Sequence, residues 1–168
     1  MIVNIVQGDI LSPDNTCDII VGMNTDFKDV RGIATRFVAN IMPDMAPELG
    51  SVISFDFDGK RKLHLIICHE IGEGGWKNAD KYVRFGMDYL DHLTDDRQHS
   101  IVQIGTGRVG RRDGADAPAI ITAMAQSFLP VTLYIYDGVP MEAVLENRMP
   151  LRTLFAWSPT SGMARIAA

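Results

Sequence analysis

The sequence predicts an α/β domain of three layers (α/β/α), with a mixed central sheet and helices on both of its faces. Three observations predict it. Short runs rich in Ile and Val alternate with longer segments whose apolar residues recur at helical spacing. Most successive runs are separated by such a helical segment, the usual join between parallel strands. One pair of runs is separated only by Asp58-Gly59, a hairpin signal that supplies an antiparallel part.

The elements follow in chain order. Ile2–Gln7 is a strand that stops at Gly8-Asp9, and Ser12-Pro13-Asp14-Asn15 is a dense turn cluster. Cys17–Val21 is apolar throughout apart from Asp18, as expected of a strand buried on both faces. The polar stretch Asn24–Arg31 leads to a helix over Gly32–Met42, with Ile33, Phe37, Val38 and Ile41 on one face and Pro43 as its stop. Val52–Phe57 and Lys62–His69 form the hairpin. Glu70–Lys77 is a glycine-rich loop, and Asn78 caps a helix that carries Tyr82, Val83, Gly86, Leu90 and Leu93 on one face. Ser100–Ile104 is a strand ending in a second glycine-rich loop, Gly105–Gly114. Asp116 caps a helix over Ala117–Phe128, with Pro118 in its first turn. Val131–Tyr136 is the last strand and Pro140–Arg148 a short helix. Residues 1–149 make one domain. Residues 150–168 form a tail, in which Leu154, Phe155 and Trp157 pack back on the domain or on a partner and Ser158–Ala168 is loose.

Bulk properties narrow the function. A chain of 168 residues can bury one substantial core, and 46% hydrophobic with 22% charged residues is an ordinary globular balance. The net charge of −5 gives no general attraction to nucleic acid or to an anionic membrane. A phosphorylated ligand must therefore be held by local backbone donors and a few placed cations. Cys17 and Cys68 both lie in apolar runs and read as reduced core thiols. No signal peptide and no apolar run of roughly 20 residues is present, so a soluble, cytoplasmic protein is expected. Histidines 64, 69, 92 and 99 are scattered without metal-ligand spacing, and no metal or cofactor is expected.

In α/β sheets ligands collect at the carboxyl ends of strands. Four loops there carry unusual content. The first is Ile104-Gly105-Thr106-Gly107-Arg108-Val109-Gly110-Arg111-Arg112. Its glycines let backbone N–H groups converge on a phosphate, and its arginines fork onto phosphate oxygens. A surface loop with solvated arginines would have the same composition. Gly8-Asp9-Ile10 places a carboxylate just after a strand, where it can accept from an exocyclic amine or simply cap a turn. Gly22–Gly32 offers Asn24 to a sugar hydroxyl and a helix N-terminus to an anion. Tyr136, after the last strand, can stack on a base or pack as an ordinary strand residue.

In order and spacing these loops resemble the macro-domain family over roughly residues 1–148. The stretches that carry the resemblance are "IVQGDIL", "CDIIVGMN", "RGIATRF", "IGTGRVG" and "VTLYIYD". The subgroup they most resemble contains terminal ADP-ribose glycohydrolases and the macro domains of some toxin–antitoxin pairs. The resemblance implies adenine near Asp9 and Ile10, with Tyr136 at the adenine end. It implies diphosphate over Gly32, Ile33 and Ala34 and over Gly105, Thr106, Gly107, Arg108, Val109 and Gly110, and the distal ribose near Asn24. The partners it implies are ADP-ribose or a related nucleotide, including ADP-ribosylated protein or nucleic acid.

The chain also departs from that subgroup. The glycine-rich run ahead of the first helix is replaced by Lys28-Asp29-Val30-Arg31, which keeps only Gly32. The subgroup's glycohydrolases use a lysine in that helix and an aspartate in the diphosphate loop. Here Phe37-Val38-Ala39-Asn40 and Val109 stand at those positions. Gly22 and Thr25 stand where the other hydrolytic branch has asparagines. If the chain hydrolyses an ADP-ribosyl group or an ADP-ribose phosphate, Asp26, Asp29 or Asp113 must position or activate water. The competing reading is a catalytically inactive interaction module with a vestigial or altered cleft.

Overall fold

The structure, a computed structural model, describes residues 1–27, 47–92, 99–102, 117–135 and 152–164. In chain order these form β1 (Ile2–Gln7), β2 (Asp18–Asn24), β3 (Val52–Asp56), β4 (Lys62–His69), α1 (Ala79–His92), β5 (His99–Val102), α2 (Ala117–Ala125), β6 (Val131–Ile135), β7 (Arg152–Ser158) and β8 (Gly162–Ala164). The strands make one mixed sheet in the order β1-β6-β5-β2-β4-β3-β7-β8. β1, β6, β5, β2 and β4 run parallel, while β3, β7 and β8 are joined by antiparallel pairings. The helices expected over 32–42 and 140–148 lie outside the described residues.

The core follows from the period-two alternation of the strands. Ile19, Val21 and Met23 of β2 share one face with Leu63, Leu65 and Ile67 of β4, joined there by Ile10, Phe27, Ile53, Phe55 and Phe57. Ile20, Ile66, Cys68 and Val52 face the other way and are covered by α1 and α2. α1 contributes Val83, Met87 and Leu90, spaced three and four apart as an amphipathic helix requires. Gly86 lies in the same stripe. A Cβ there would fall 2.7 Å from Cγ2 of Ile66, so the glycine is what lets the helix lie against β4. No helix among the described residues is long and apolar enough to cross a membrane.

Several boundaries differ from the sequence-based expectation, each for a local reason. β2 continues past Val21 to Asn24 because β4 pairs with it along that length. α2 stops at Ala125 rather than Phe128. The Asp91 carboxylate accepts the N–H groups of Phe128 and Leu129 at 3.2 and 3.0 Å and the Ser127 hydroxyl at 2.7 Å, which competes with further helical bonding. The hairpin loop is longer than Asp58-Gly59. The Phe57 N–H donates to the Arg61 carbonyl at 2.9 Å, and Asp58 Oδ1 accepts from the N–H groups of both Lys60 and Arg61. Gly59 supplies the positive φ, +77°.

The tail differs most. Arg152–Ser158 is a strand added to β3, with Val52 opposite Trp157 and Asp56 opposite Arg152. Trp157 stacks on Tyr89 of α1, ring centroids 4.6 Å apart. Gly162–Ala164, expected to be loose, pairs back on β7.

Arg61 ties the long β1–β2 connection to the hairpin. Its guanidinium donates to Asp58 Oδ2 at 2.9 Å and to the carbonyls of Ser12 and Asn15 at 3.1 and 2.8 Å, and lies over the Phe57 ring. The residue is 5% exposed, so these partners replace most of its hydration.

Candidate ligand-binding rim

Five parallel strands must place their carboxyl ends on one rim. These ends are Gln7, Ile135, Val102, Asn24 and His69, in spatial order across β1, β6, β5, β2 and β4. The strand order reverses between β5 and β2. From β5 the chain returns to β6 on one side, and from β2 it goes on to β3 and β4 on the other. Connections that diverge in this way leave a crevice at the carboxyl ends, the usual ligand site of an open α/β sheet.

The segment after β1 opens with Gly8 and Asp9. Asp9 Oδ1 accepts the Leu11 N–H at 2.9 Å, and the Asp9 carbonyl accepts the Ser12 N–H at 3.0 Å. One carboxylate oxygen thus holds a tight turn, and no other hydrogen bond to this carboxylate is made among the described residues. Ile10 is 2% exposed and packs with Ile19, Val21 and Met23, which anchors the turn to the core. Asn15 clamps the same segment, donating from Nδ2 to the Ile10 carbonyl at 2.8 Å.

At the end of β2, Asn24 is buried, and its Oδ1 accepts the Asp26 N–H at 3.0 Å. The Thr25 N–H donates to the His69 carbonyl at 3.2 Å, so the ends of β2 and β4 stay paired past the last regular register. Phe27 follows with φ +57°, a conformation that costs a bulky L-residue energy. Its side chain is 8% exposed within the core cluster, and that burial holds the backbone in place. Asp26 is exposed between these two fixed residues. The other sequence-derived site residues lie outside the described residues: Asp29, Gly32, Ile33, Ala34, Gly105, Thr106, Gly107, Arg108, Val109, Gly110, Asp113 and Tyr136. In sequence, Gly105–Gly110 follow β5, Tyr136 follows β6, and Asp29 and Gly32–Ala34 follow β2.

His69 draws no notice in the sequence. It is the last residue of β4 and the register partner of Asn24, at an irregularity between Met23 and Asn24. Its ring stacks on Trp76 with centroids 3.7 Å apart and planes 13° from parallel, and its Nδ1 lies 3.6 Å from Cys68 Sγ. The available signal was a histidine at the end of a strand, followed by a glycine-rich loop and a tryptophan. Chain position alone does not say that β4 lies beside β2.

Burial pushes the Cys68 thiol up to about 12. It stays protonated at neutral pH and is no nucleophile there. The sign of its pH effect follows. In the unfolded chain the thiol ionises near its ordinary 9, while in the folded protein it resists until about 12, so stability is lost as pH rises across that window. The wild type is expected to lose about 3–4 kcal/mol more than Cys68→Ala between those limits. Urea denaturation of both proteins at stepped pH measures the difference, and parallel curves would contradict the assignment.

A second constellation contains Ser, His and Asp. Ser54 Oγ lies 2.7 Å from His64 Nδ1, and His64 Nε2 lies 3.6 Å from Asp18 Oδ2. All three residues are buried. They sit where β2 and β4 begin, at the end of the sheet opposite the rim. Here Nδ1 faces the serine, whereas a hydrolytic triad presents Nε2 to its nucleophile. This group ties β3, β4 and β2 together and is no exposed nucleophile.

Solved structures share the fold. A protein of unknown function from Bacteroides thetaiotaomicron superposes with a TM-score of 0.58 at 15% identity, covering 78% of this chain and 96% of its own. The macrodomain of Mycobacterium tuberculosis DarG superposes with a TM-score of 0.53 at 16% identity, covering 80% of this chain and 97% of that domain. The chain has a macrodomain fold. A third similar structure, Thermosipho africanus DarTG in complex with ADP-ribose, has a TM-score of 0.52 at 14% identity and covers 87% of this chain and 46% of that one. No protein-family model and no curated protein sequence matches the chain. At these identities the likeness is one of macrodomain architecture.

Proposed function

We propose that this macrodomain binds ADP-ribose or a close derivative, laid across the rim from β1 toward β4. One observation carries the reading. The chain presents its candidate loops in the order Asp9, Asn24 with Gly32–Ala34, Gly105–Gly110, Tyr136. The topology rearranges the strands before them into β1, β6, β5, β2. Segments that follow these strands would then read, across the rim, Asp9, Tyr136, Gly105–Gly110, and Asn24 with Gly32–Ala34. By the resemblance these are an adenine contact, a base-stacking aromatic, a diphosphate loop, and a sugar contact beside the second diphosphate segment, which matches the run of ADP-ribose from adenine through diphosphate to the distal sugar. Three strand steps span roughly 14 Å. A similar structure holding ADP-ribose supports the same reading.

Calorimetric titration with ADP-ribose tests it, with Asp9 as the discriminating residue. A hydrogen bond from the adenine amine to a carboxylate is worth about 1.5–3 kcal/mol, so Asp9→Ala should weaken binding roughly 10- to 100-fold. Because Asp9 also holds the turn through Leu11, Asp9→Asn is the companion variant. It keeps an acceptor for the Leu11 N–H and should keep the fold while still weakening the ligand. Unchanged affinity in both variants, or equal affinity of the parent for an inosine analogue, would show that adenine is read elsewhere.

Turnover of aspartate- or glutamate-linked ADP-ribose is expected to be slow or absent. Val38, Ala39, Asn40 and Val109 can neither form an adduct with the ribose nor shuttle a proton. A time course on an auto-modified polymerase substrate measures this. Release at about one per second or faster, within the ordinary enzyme range, would assign the chemistry to a carboxylate. Single substitutions of Asp26, Asp29 and Asp113 would then identify which one.

A further inference from the structure

The resemblance gives the sugar contact to Asn24, but in this fold that side chain is spent on the protein itself. Asn24 is 2% exposed, and its Oδ1 accepts the Asp26 N–H at 3.0 Å. We propose that the contact passes to Asp26, whose carboxylate accepts hydrogen bonds from the hydroxyls of the ligand's distal ribose. This rests on the ADP-ribose reading, which puts that ribose at the end of β2.

The backbone of Asp26 is fixed from both sides. Before it, the Thr25 N–H donates to the His69 carbonyl, which keeps this end of β2 beside β4. The Asn24 side chain then closes a turn onto the Asp26 N–H itself. After it, Phe27 takes φ +57° with its ring buried among Ile19, Val21 and Met23. A strained backbone of this kind persists only where its surroundings impose it, and such residues gather at ligand sites. Asp26 is therefore an exposed corner between two buried residues. It stands at the carboxyl end of β2, one of the two strands between which the order of the sheet reverses. A carboxylate on a backbone already held in place loses little freedom when a ligand arrives.

Its chemistry suits a sugar. Among the described residues the Asp26 carboxylate makes no hydrogen bond or ion pair, so both oxygens are open as acceptors. The neighbouring hydroxyls of a ribose are two donors side by side, and hydrogen bonds to an ionised acceptor are the strong ones. The sign of the effect separates contact from background charge. ADP and ADP-ribose are both anions. A carboxylate that acts only through its field repels both, and removing it tightens both. A carboxylate that holds the distal ribose weakens ADP-ribose when removed and does nothing of the kind to ADP, which lacks that ribose.

The experiment is calorimetry with ADP and ADP-ribose on the full chain, for the wild type, Asp26→Ala and Asp26→Asn, with melting temperatures of all three. The wild type should bind ADP-ribose more tightly than ADP. Asp26→Ala should weaken ADP-ribose about 3- to 20-fold while ADP stays within about twofold or tightens, and Asp26→Asn, which keeps one acceptor oxygen, should recover part of the loss. The side chain is exposed, so the melting temperatures should agree. Tightening of both ligands in Asp26→Ala makes the carboxylate background charge and overturns the proposal. Unchanged ADP-ribose affinity overturns it too, as does equal weakening of both ligands, which would make Asp26 a support of the rim. A wild type that binds both alike overturns it while leaving the nucleotide site standing. A wild type that binds neither removes the ADP-ribose reading and this proposal together.

Discussion

Replacing Gly107 by glutamate is expected to abolish ADP-ribose binding in a protein that still folds. The segment Gly105-Thr106-Gly107 combines glycines, whose N–H groups can approach a diphosphate without side-chain obstruction, with Arg108, Arg111 and Arg112 close behind. Net charge is −5, so nothing general in the protein attracts an anion, and this local cluster has to do so. If this loop holds the diphosphate as proposed, a glutamate at 107 would fill the space of the phosphate oxygens and add a like charge beside them. Affinity should fall below detection at millimolar ligand, with an unchanged denaturation midpoint. Retained affinity in the folded variant would remove the diphosphate from this loop.

The largest expected loss of stability comes from Arg61→Ala. The substitution removes donors from the carbonyls of Ser12 and Asn15 and from Asp58, and strips the face of Phe57. The cost should be about 2–4 kcal/mol, from the loss of the guanidinium's hydrogen bonds and of its packing over Phe57. For a chain of this size that lowers the melting temperature by roughly 5–15 °C. Asp58→Ala, which leaves both carbonyl bonds in place, should cost clearly less. Since Ser12 and Asn15 lie in the segment that carries Asp9, Arg61→Ala should also weaken adenine recognition more than diphosphate recognition. Thermal denaturation, with titrations of ADP-ribose and of its inosine analogue, reads out both effects. A cost no greater than that of Asp58→Ala would deny Arg61 its role as a tie.

The parts of this account that were legible in the sequence are those that rest on local chemistry. The apolar run of β2, the three- and four-residue spacing of Val83, Met87 and Leu90, and the hairpin marked by Asp58-Gly59 are set by neighbours in the chain. Local chemistry also marks Asp9 and the Gly105–Gly110 loop as unusual. Long-range pairing was not legible. Arg152–Ser158 is a strand because β3, nearly a hundred residues earlier, offers it an edge. Nothing between Pro150 and Ser158 announces that partner. The same limit hid His69, an unremarkable histidine until β4 is placed beside β2. It also left Ser54, His64 and Asp18 looking unrelated, although the ladder brings them into one buried chain. In the other direction, the structure gives Asp9 the turn-capping role that its position after a strand allowed, and gives Asn24 a turn-holding role that the sequence did not announce.

A crystal structure of the protein grown with saturating ADP-ribose tests the ordering of the ligand along the rim most directly. The predicted result has adenine within hydrogen-bond reach of Asp9 at the end of β1, the diphosphate against Gly105–Gly110 beyond β5, and the distal ribose beside Asn24 at the end of β2. Adenine at the β4 end, or density for the nucleotide away from the carboxyl ends of these strands, would contradict it.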